Sequence, residues 1–126
     1  RTTYRLSDAE VVQVVHPPLP ATMRLVDLRT KPVSERAAAP RSVIEEQRST
    51  AFRLEQDLPI RIALCLNAQD SHTLVVTTHR IACDQTSTPI LLTDLGDLYR
   101  FEIGLGDRQG NSRRRTQTSP GGSDHR

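Results

Sequence analysis

With 126 residues, the chain has room for one domain or part of one. Hydrophobic residues make up 36% and aromatics 3%, so any core is thin and drawn from Leu, Val, Ile and Ala. A formal net charge of +2, from 17 basic and 15 acidic residues, excludes the strong electrostatic footprint of a nucleic-acid or acidic-membrane binder, and no apolar run is long enough to span a bilayer.

Residues 1–6 (RTTYRL) and Val11 to Val15 read as two short extended segments, with the turn-prone Ser7-Asp8 between them: a hairpin. His16-Pro17-Pro18-Leu19-Pro20 ends regular structure, because each proline removes an N–H donor and fixes φ. A third short run, 23–28 (MRLVDL), reads as a strand although its apolar residues do not alternate cleanly. Ser34 is a candidate N-cap with Glu35 in the first turn, and helical spacing continues to Phe52 through Val43, Ile44, Gln47 and Ala51. Pro40 either breaks that helix or sits in the first turn of one that begins there. Glu45 and Arg48 are placed to face each other.

Residues 60–66 (IRIALCL) and 72–79 (HTLVVTTH) read as strands. They pair as an antiparallel hairpin across a loop of about five residues, Asn67 to Ser71. After a polar turn at Asp84 to Ser87, apolar residues at helical spacing over 88–103 predict an amphipathic helix, with Ser or Thr as cap and Pro89 in its first turn. From Gly104 the character changes: no apolar residue follows Leu105, and 104–126 is expected to be a disordered, solvated tail carrying Arg113-Arg114-Arg115. Cys65 and Cys83 lack CxxC spacing, and no charged-then-apolar leader opens the sequence. The expectation is a cytoplasmic chain with two buried thiols rather than a disulfide. An opening Arg in place of Met leads us to expect an excised or processed piece. His16, His72 and His125 make no metal-ligand spacing with the two cysteines.

The chemistry-bearing stretch is His79-Arg80-Ile81-Ala82-Cys83-Asp84-Gln85-Thr86-Ser87, where the most strongly β-forming segment gives way to a helix. Polar groups at such a junction are held rigidly. His79 and Asp84 can form a base–orienter pair or a structural pair.

At this junction the sequence resembles the HHxxxDG core motif of the condensation domains of non-ribosomal peptide synthetases. The flanks agree. AFRLEQDLPIRIALCL (51–66) is similar to the family's Phe-x-Leu-x-x-x-x-Pro segment and the Arg-containing strand after it. TLVVTTH (73–79) is similar to the strand that leads into the motif, TPILLTDLGDLYR (88–100) to the following helix, and Arg1-Thr2-Thr3-Tyr4 to the RTxF motif. The likeness covers residues 1–103 and implies an α+β fold: a partial chloramphenicol-acetyltransferase-like lobe, mostly antiparallel sheet with two helices. In the family, two such lobes flank a tunnel, and carrier domains deliver thioesters on phosphopantetheine arms. No cofactor of the domain's own is implied, and the partners implied are peptidyl carrier domains.

The resemblance places His79 at the first motif histidine and Asp84 at the motif aspartate. Arg80 stands at the second histidine, the residue to which the family assigns catalysis, and Gln85 at the glycine. A guanidinium stays protonated in proteins, so Arg80 cannot act as a general base near neutrality, though it can donate to an oxyanion. His-Arg in place of His-His resembles the catalytically silent X domains of glycopeptide antibiotic synthetases, which recruit haem oxygenases. The resemblance also implies that Arg1 pairs with Asp84 and braces the motif turn; Asp84 as cap of the helix near Ser87 is the alternative. Three readings follow: a silent docking module, supported by Arg80 and Gln85; a piece of an amide-forming condensation enzyme, supported by Asp84 and the remaining pattern; and a remnant without function.

Overall fold

A computed structural model describes residues 1–20 and 22–105. The expectation for the tail beyond Leu105 lies outside the described residues. The chain divides into two compact units, Arg1–Cys83 and a second that begins at Asp84.

The first unit opens with a hairpin of β1 (Thr2–Ser7) and β2 (Glu10–Val15), paired antiparallel from Thr2↔Val15 to Ser7↔Glu10. The tight turn falls on Asp8-Ala9, one residue later than Ser7-Asp8, and both residues have positive φ, 49° and 67°. Such a left-handed pair matches the twist of the flanking strands, although it costs Ala9 roughly 1–2 kcal/mol. The buried Thr3 and Tyr4 anchor the hairpin. The Tyr4 amide donates to the Leu54 carbonyl at 2.8 Å, which ties β1 to the segment after the second helix.

A three-stranded sheet of order β3-β4-β5 forms the rest of the unit. β3 (Arg24–Asp27) runs parallel to β4 (Ile60–Ala68), and β4 pairs antiparallel with β5 (Ser71–Thr78). A parallel pair needs a long crossover, and here α1 (Val33–Arg36) and α2 (Ala39–Ser49) supply it. The helical stretch expected from Ser34 thus divides at Pro40, as that proline led us to expect. Pro40 lies in the first turn of α2, where its missing N–H costs no hydrogen bond. Ser34 is not a cap: α1 begins at Val33 behind Pro32, with no side-chain cap. α2 stops at Ser49, short of Phe52, and the Thr50 amide donates back to the Glu46 carbonyl.

Val43 and Gln47, one turn apart, are the buried residues of α2. Val43 makes a small core with Leu28, Ala63, Cys65 and Val75, flanked by Val26 and Ala39. Strand alternation places Ala63 and Cys65 on the α2 face of β4 and Ile62 and Leu64 on the opposite face. Apolar residues on both faces explain why 60–66 alternates imperfectly. On the face away from α2, Leu25 stays 62% exposed and Leu74 41%.

The five-residue loop expected at 67–71 is shorter. β4 continues to Ala68 past a register shift between Leu66 and Ala68, and β5 starts at Ser71. Asn67 lies inside the strand, its side-chain amide donating to Thr73 Oγ1 at 2.7 Å while its Oδ1 is buried without a partner among the described residues. Neither cysteine is in a disulfide, but only Cys65 is buried; Cys83 is half-buried, which corrects the expectation of two buried thiols. Burial raises the Cys65 thiol pKa.

The second unit is built on α3 (Ser87–Glu102), as expected over 88–103. Ile103 caps its C-terminal end, and Gly104 takes the left-handed conformation (φ 80°) that a β-carbon would disfavour. No helix among the described residues is long and apolar enough to cross a membrane.

Candidate functional site around the His79 turn

The last hydrogen bond at this end of the β4–β5 ladder brings in His79, whose amide donates to the carbonyl of the buried Pro59 at 2.9 Å. The chain then folds back on the same residue. The amides of Ala82 and Cys83 both donate to the His79 carbonyl at 3.1 Å. The Ile81 amide donates to His79 Nδ1, also at 3.1 Å. With Nδ1 accepting, the neutral ring carries its proton on Nε2 and presents a donor there. Arg80 lies within this turn and is exposed.

The His79 ring meets Phe52 edge-on, with centroids 5.7 Å apart and planes at 90°. Such T-shaped pairs favour one relative orientation. The Arg61 guanidinium carbon lies 3.9 Å from the Phe52 ring centroid. Its two terminal nitrogens donate to the carbonyls of Gln47 (3.2 Å), Thr50 (2.5 Å) and Ala51 (2.7 Å). These are groups a helix leaves without partners at its C-terminal end, and a cation is favoured there. Phe52 and Arg61 belong to the flanking pattern of the sequence, but nothing in their spacing discloses that they stack on each other beneath the motif.

In the second unit, Asp84 Oδ1 accepts from the Ser87 amide (2.8 Å) and the Ser87 hydroxyl (2.7 Å). Its carbonyl accepts from the Thr88 amide at 3.2 Å. The Ser87 hydroxyl first, then the Ser87 amide, hold the Asp84 carboxyl below the usual carboxylate range. Asp84 therefore secures the first turn of α3, the alternative to a Ser or Thr cap; Thr86, the residue at the cap position, makes no side-chain cap bond. Gln85 lies in the connecting turn and is exposed. Arg1 is exposed in the first unit, where its carbonyl accepts from the His16 amide at 2.7 Å.

A contact that sequence reasoning missed joins the buried Thr3 hydroxyl to His16 Nε2 at 2.7 Å. Beside prolines, His16 gives no sign of it. An open cleft of about 450 Å³ is lined by Arg24, Glu46, Gln47, Thr50 and Arg61 among others, and His79 is not part of its lining. Among the described residues no three His, Cys, Asp or Glu side chains come together as a metal site.

The family profile of the condensation domain matches residues 1–105. The chain belongs to the condensation-domain family. Among similar curated proteins, a nonribosomal peptide synthetase of Curvularia clavata is 32% identical over 99 residues, which is 79% of this chain and 1% of the relative. The cyclosporin synthetase of Tolypocladium inflatum is 33% identical over 100 residues, 79% of this chain and 1% of the relative. The chondramide synthase of Chondromyces crocatus is 32% identical over 99 residues, 79% of this chain and 2% of the relative. This condensation-domain chain thus spans only a few hundredths of the length of the relatives it matches. A solved condensation domain that mediates chain release from the enacyloxin polyketide synthase aligns with a TM-score of 0.63 over 77% of this chain and 19% of that one, at 19% identity. The fold is therefore the α+β condensation-domain fold, of chloramphenicol-acetyltransferase-like type, mostly antiparallel as expected, with β3–β4 as its parallel pair.

Chemically, the turn offers donors. Nδ1 of His79 is occupied as an acceptor, Nε2–H of the neutral ring is a donor, and Arg80 is a donor with no basic lone pair.

Proposed function

We propose that this condensation-domain chain is a catalytically silent module that docks carrier-bound peptide, in the manner of an X domain, and that its condensation-like part is 1–103. The observation that carries this reading is Arg80. It occupies the place where the family motif has its catalytic histidine, and its guanidinium does not release a proton near neutrality. His79 does not take over the task in this turn, because its one acceptor nitrogen receives the Ile81 amide. Amide formation needs help in removing a proton from the attacking amine, and neither His79 nor Arg80 offers an open acceptor for it.

The partner class is a peptidyl carrier domain presenting a phosphopantetheine-bound peptide. The X-domain likeness adds a haem oxygenase as the second partner. The test is a titration of the chain with a holo carrier domain loaded with a peptidyl thioester, followed by NMR. Saturable shifts with the thioester unchanged support the proposal. Absence of binding points to the remnant reading, and consumption of the thioester with amide product points to the active enzyme, which the retained Asp84 favours.

A further inference from the structure

Phe52 and Arg61 share one arrangement with His79 that the docking reading does not use. The Phe52 ring has an occupant on two sides: the Arg61 guanidinium against its face, 3.9 Å from the centroid, and the His79 ring at 90° to it. Arg61 is itself fixed, because its terminal nitrogens donate to three carbonyls at and just beyond the C-terminal end of α2. A stacked guanidinium whose N–H edge is fixed by acceptors holds an aromatic ring in place. A ring so held leaves its edge-on neighbour one favoured plane. In that plane His79 Nδ1 meets the Ile81 amide at 3.1 Å.

We infer that Arg61 and Phe52 are positioning residues that select the Nε2–H tautomer of His79. The end of α2 fixes Arg61, Arg61 fixes Phe52, and Phe52 sets the plane in which the imidazole accepts the Ile81 amide. This carries the direction of the α2 terminus into the motif turn, from Arg61 to His79, 18 positions further along the sequence. The inference concerns the geometry of the turn. It holds whether the site is silent or active, so its failure and the failure of the docking proposal are separate results.

The test is long-range ¹H–¹⁵N NMR of the imidazole in the full ¹⁵N-labelled chain, with amide hydrogen exchange of Ala63, Cys65 and Val75 as the measure of the sheet. In the parent chain His79 is expected to show a pyridine-like Nδ1 and a pyrrole-like Nε2, the pattern of a single tautomer. In Phe52→Leu and Arg61→Gln the two nitrogen shifts move toward each other as the tautomers exchange, while sheet protection persists. Phe52→Tyr retains the ring and restores the parent pattern. An averaged imidazole in the parent chain overturns the inference, as does an unchanged pattern in Phe52→Leu. Loss of His79 order together with sheet protection in Phe52→Leu also overturns it, because it makes Phe52 a residue of the core and not one that positions His79.

Discussion

Gln47 and Thr77 offer a direct measure of how α2 is held to the sheet. Gln47 is 6% exposed, and its Oε1 accepts from the Thr77 hydroxyl at 2.6 Å, a contact 30 residues apart in sequence. Thr77→Val keeps the side-chain shape and removes the donor, leaving a buried carbonyl oxygen without a partner. That costs about 1–3 kcal/mol. Gln47→Met removes the acceptor instead and costs less, because the half-buried Thr77 hydroxyl can turn toward water. The double variant has neither group to satisfy, and replacing both partners by apolar groups is close to neutral. Its destabilisation is therefore well below the sum of the singles, with a coupling of roughly 1–2 kcal/mol, inside the range seen for contacting residues. Urea unfolding followed by far-ultraviolet circular dichroism reads it out. At a slope of about 1–3 kcal/mol/M, a loss of about 2 kcal/mol moves the midpoint by roughly 1 M. Single variants that leave the midpoint in place, or a double variant whose loss equals the sum within about 0.5 kcal/mol, would refute the account of the α2–sheet contact.

Three further outcomes are expected. Dithionitrobenzoate should modify the half-buried Cys83 at once and Cys65 only on unfolding, because Cys65 is 0% exposed and burial raises its thiol pKa; equal rates in the folded chain contradict this. The folded-state pKa of Asp84 lies below its ordinary value of 3.8, so its hold on the first turn of α3 is complete well above that value and is lost as pH falls through the lower folded one; Asp84→Asn should flatten an acid-induced loss of protection at the Ser87 amide, and an unchanged acid profile would speak against the cap. The proposed Arg1–Asp84 pair predicts that Arg1→Gln and Asp84→Asn are non-additive in thermal unfolding at low salt and additive at high salt, whereas additivity at both leaves Asp84 as a cap alone.

Much of the architecture is legible in the sequence because local chemistry decides it. Proline at 40 fixes where α2 begins, the β-branched run at 72–78 reads as a strand, and the polar turn before Ser87 announces α3. What stayed hidden depends on partners distant in sequence. The short run at 23–28 gives no clue to its pairing, and its parallel register with β4 is set by the crossover that returns through α1 and α2. Asn67 reads as a loop residue until Thr73, on the neighbouring strand, comes within hydrogen-bond reach of it. Ser34 has a cap's chemistry but lies one residue inside α1. The cap of α3 is open in the sequence between a Ser or Thr and Asp84, and folding decides for Asp84, whose carboxylate meets both donors of Ser87. At the site, His79, Arg80 and Asp84 stand out by motif, whereas the support under His79 is assembled by folding from Phe52 and Arg61, whose stacking no spacing rule reports.

The central claim, that Arg80 removes condensation chemistry from this turn, is tested most directly by amide formation in the natural polypeptide that carries the sequence. Donor and acceptor aminoacyl carrier proteins are supplied, and dipeptidyl product is followed by mass spectrometry, with and without Arg80→His. The account predicts product at the level of the no-enzyme control with Arg80 in place. Dipeptide above that control would contradict it.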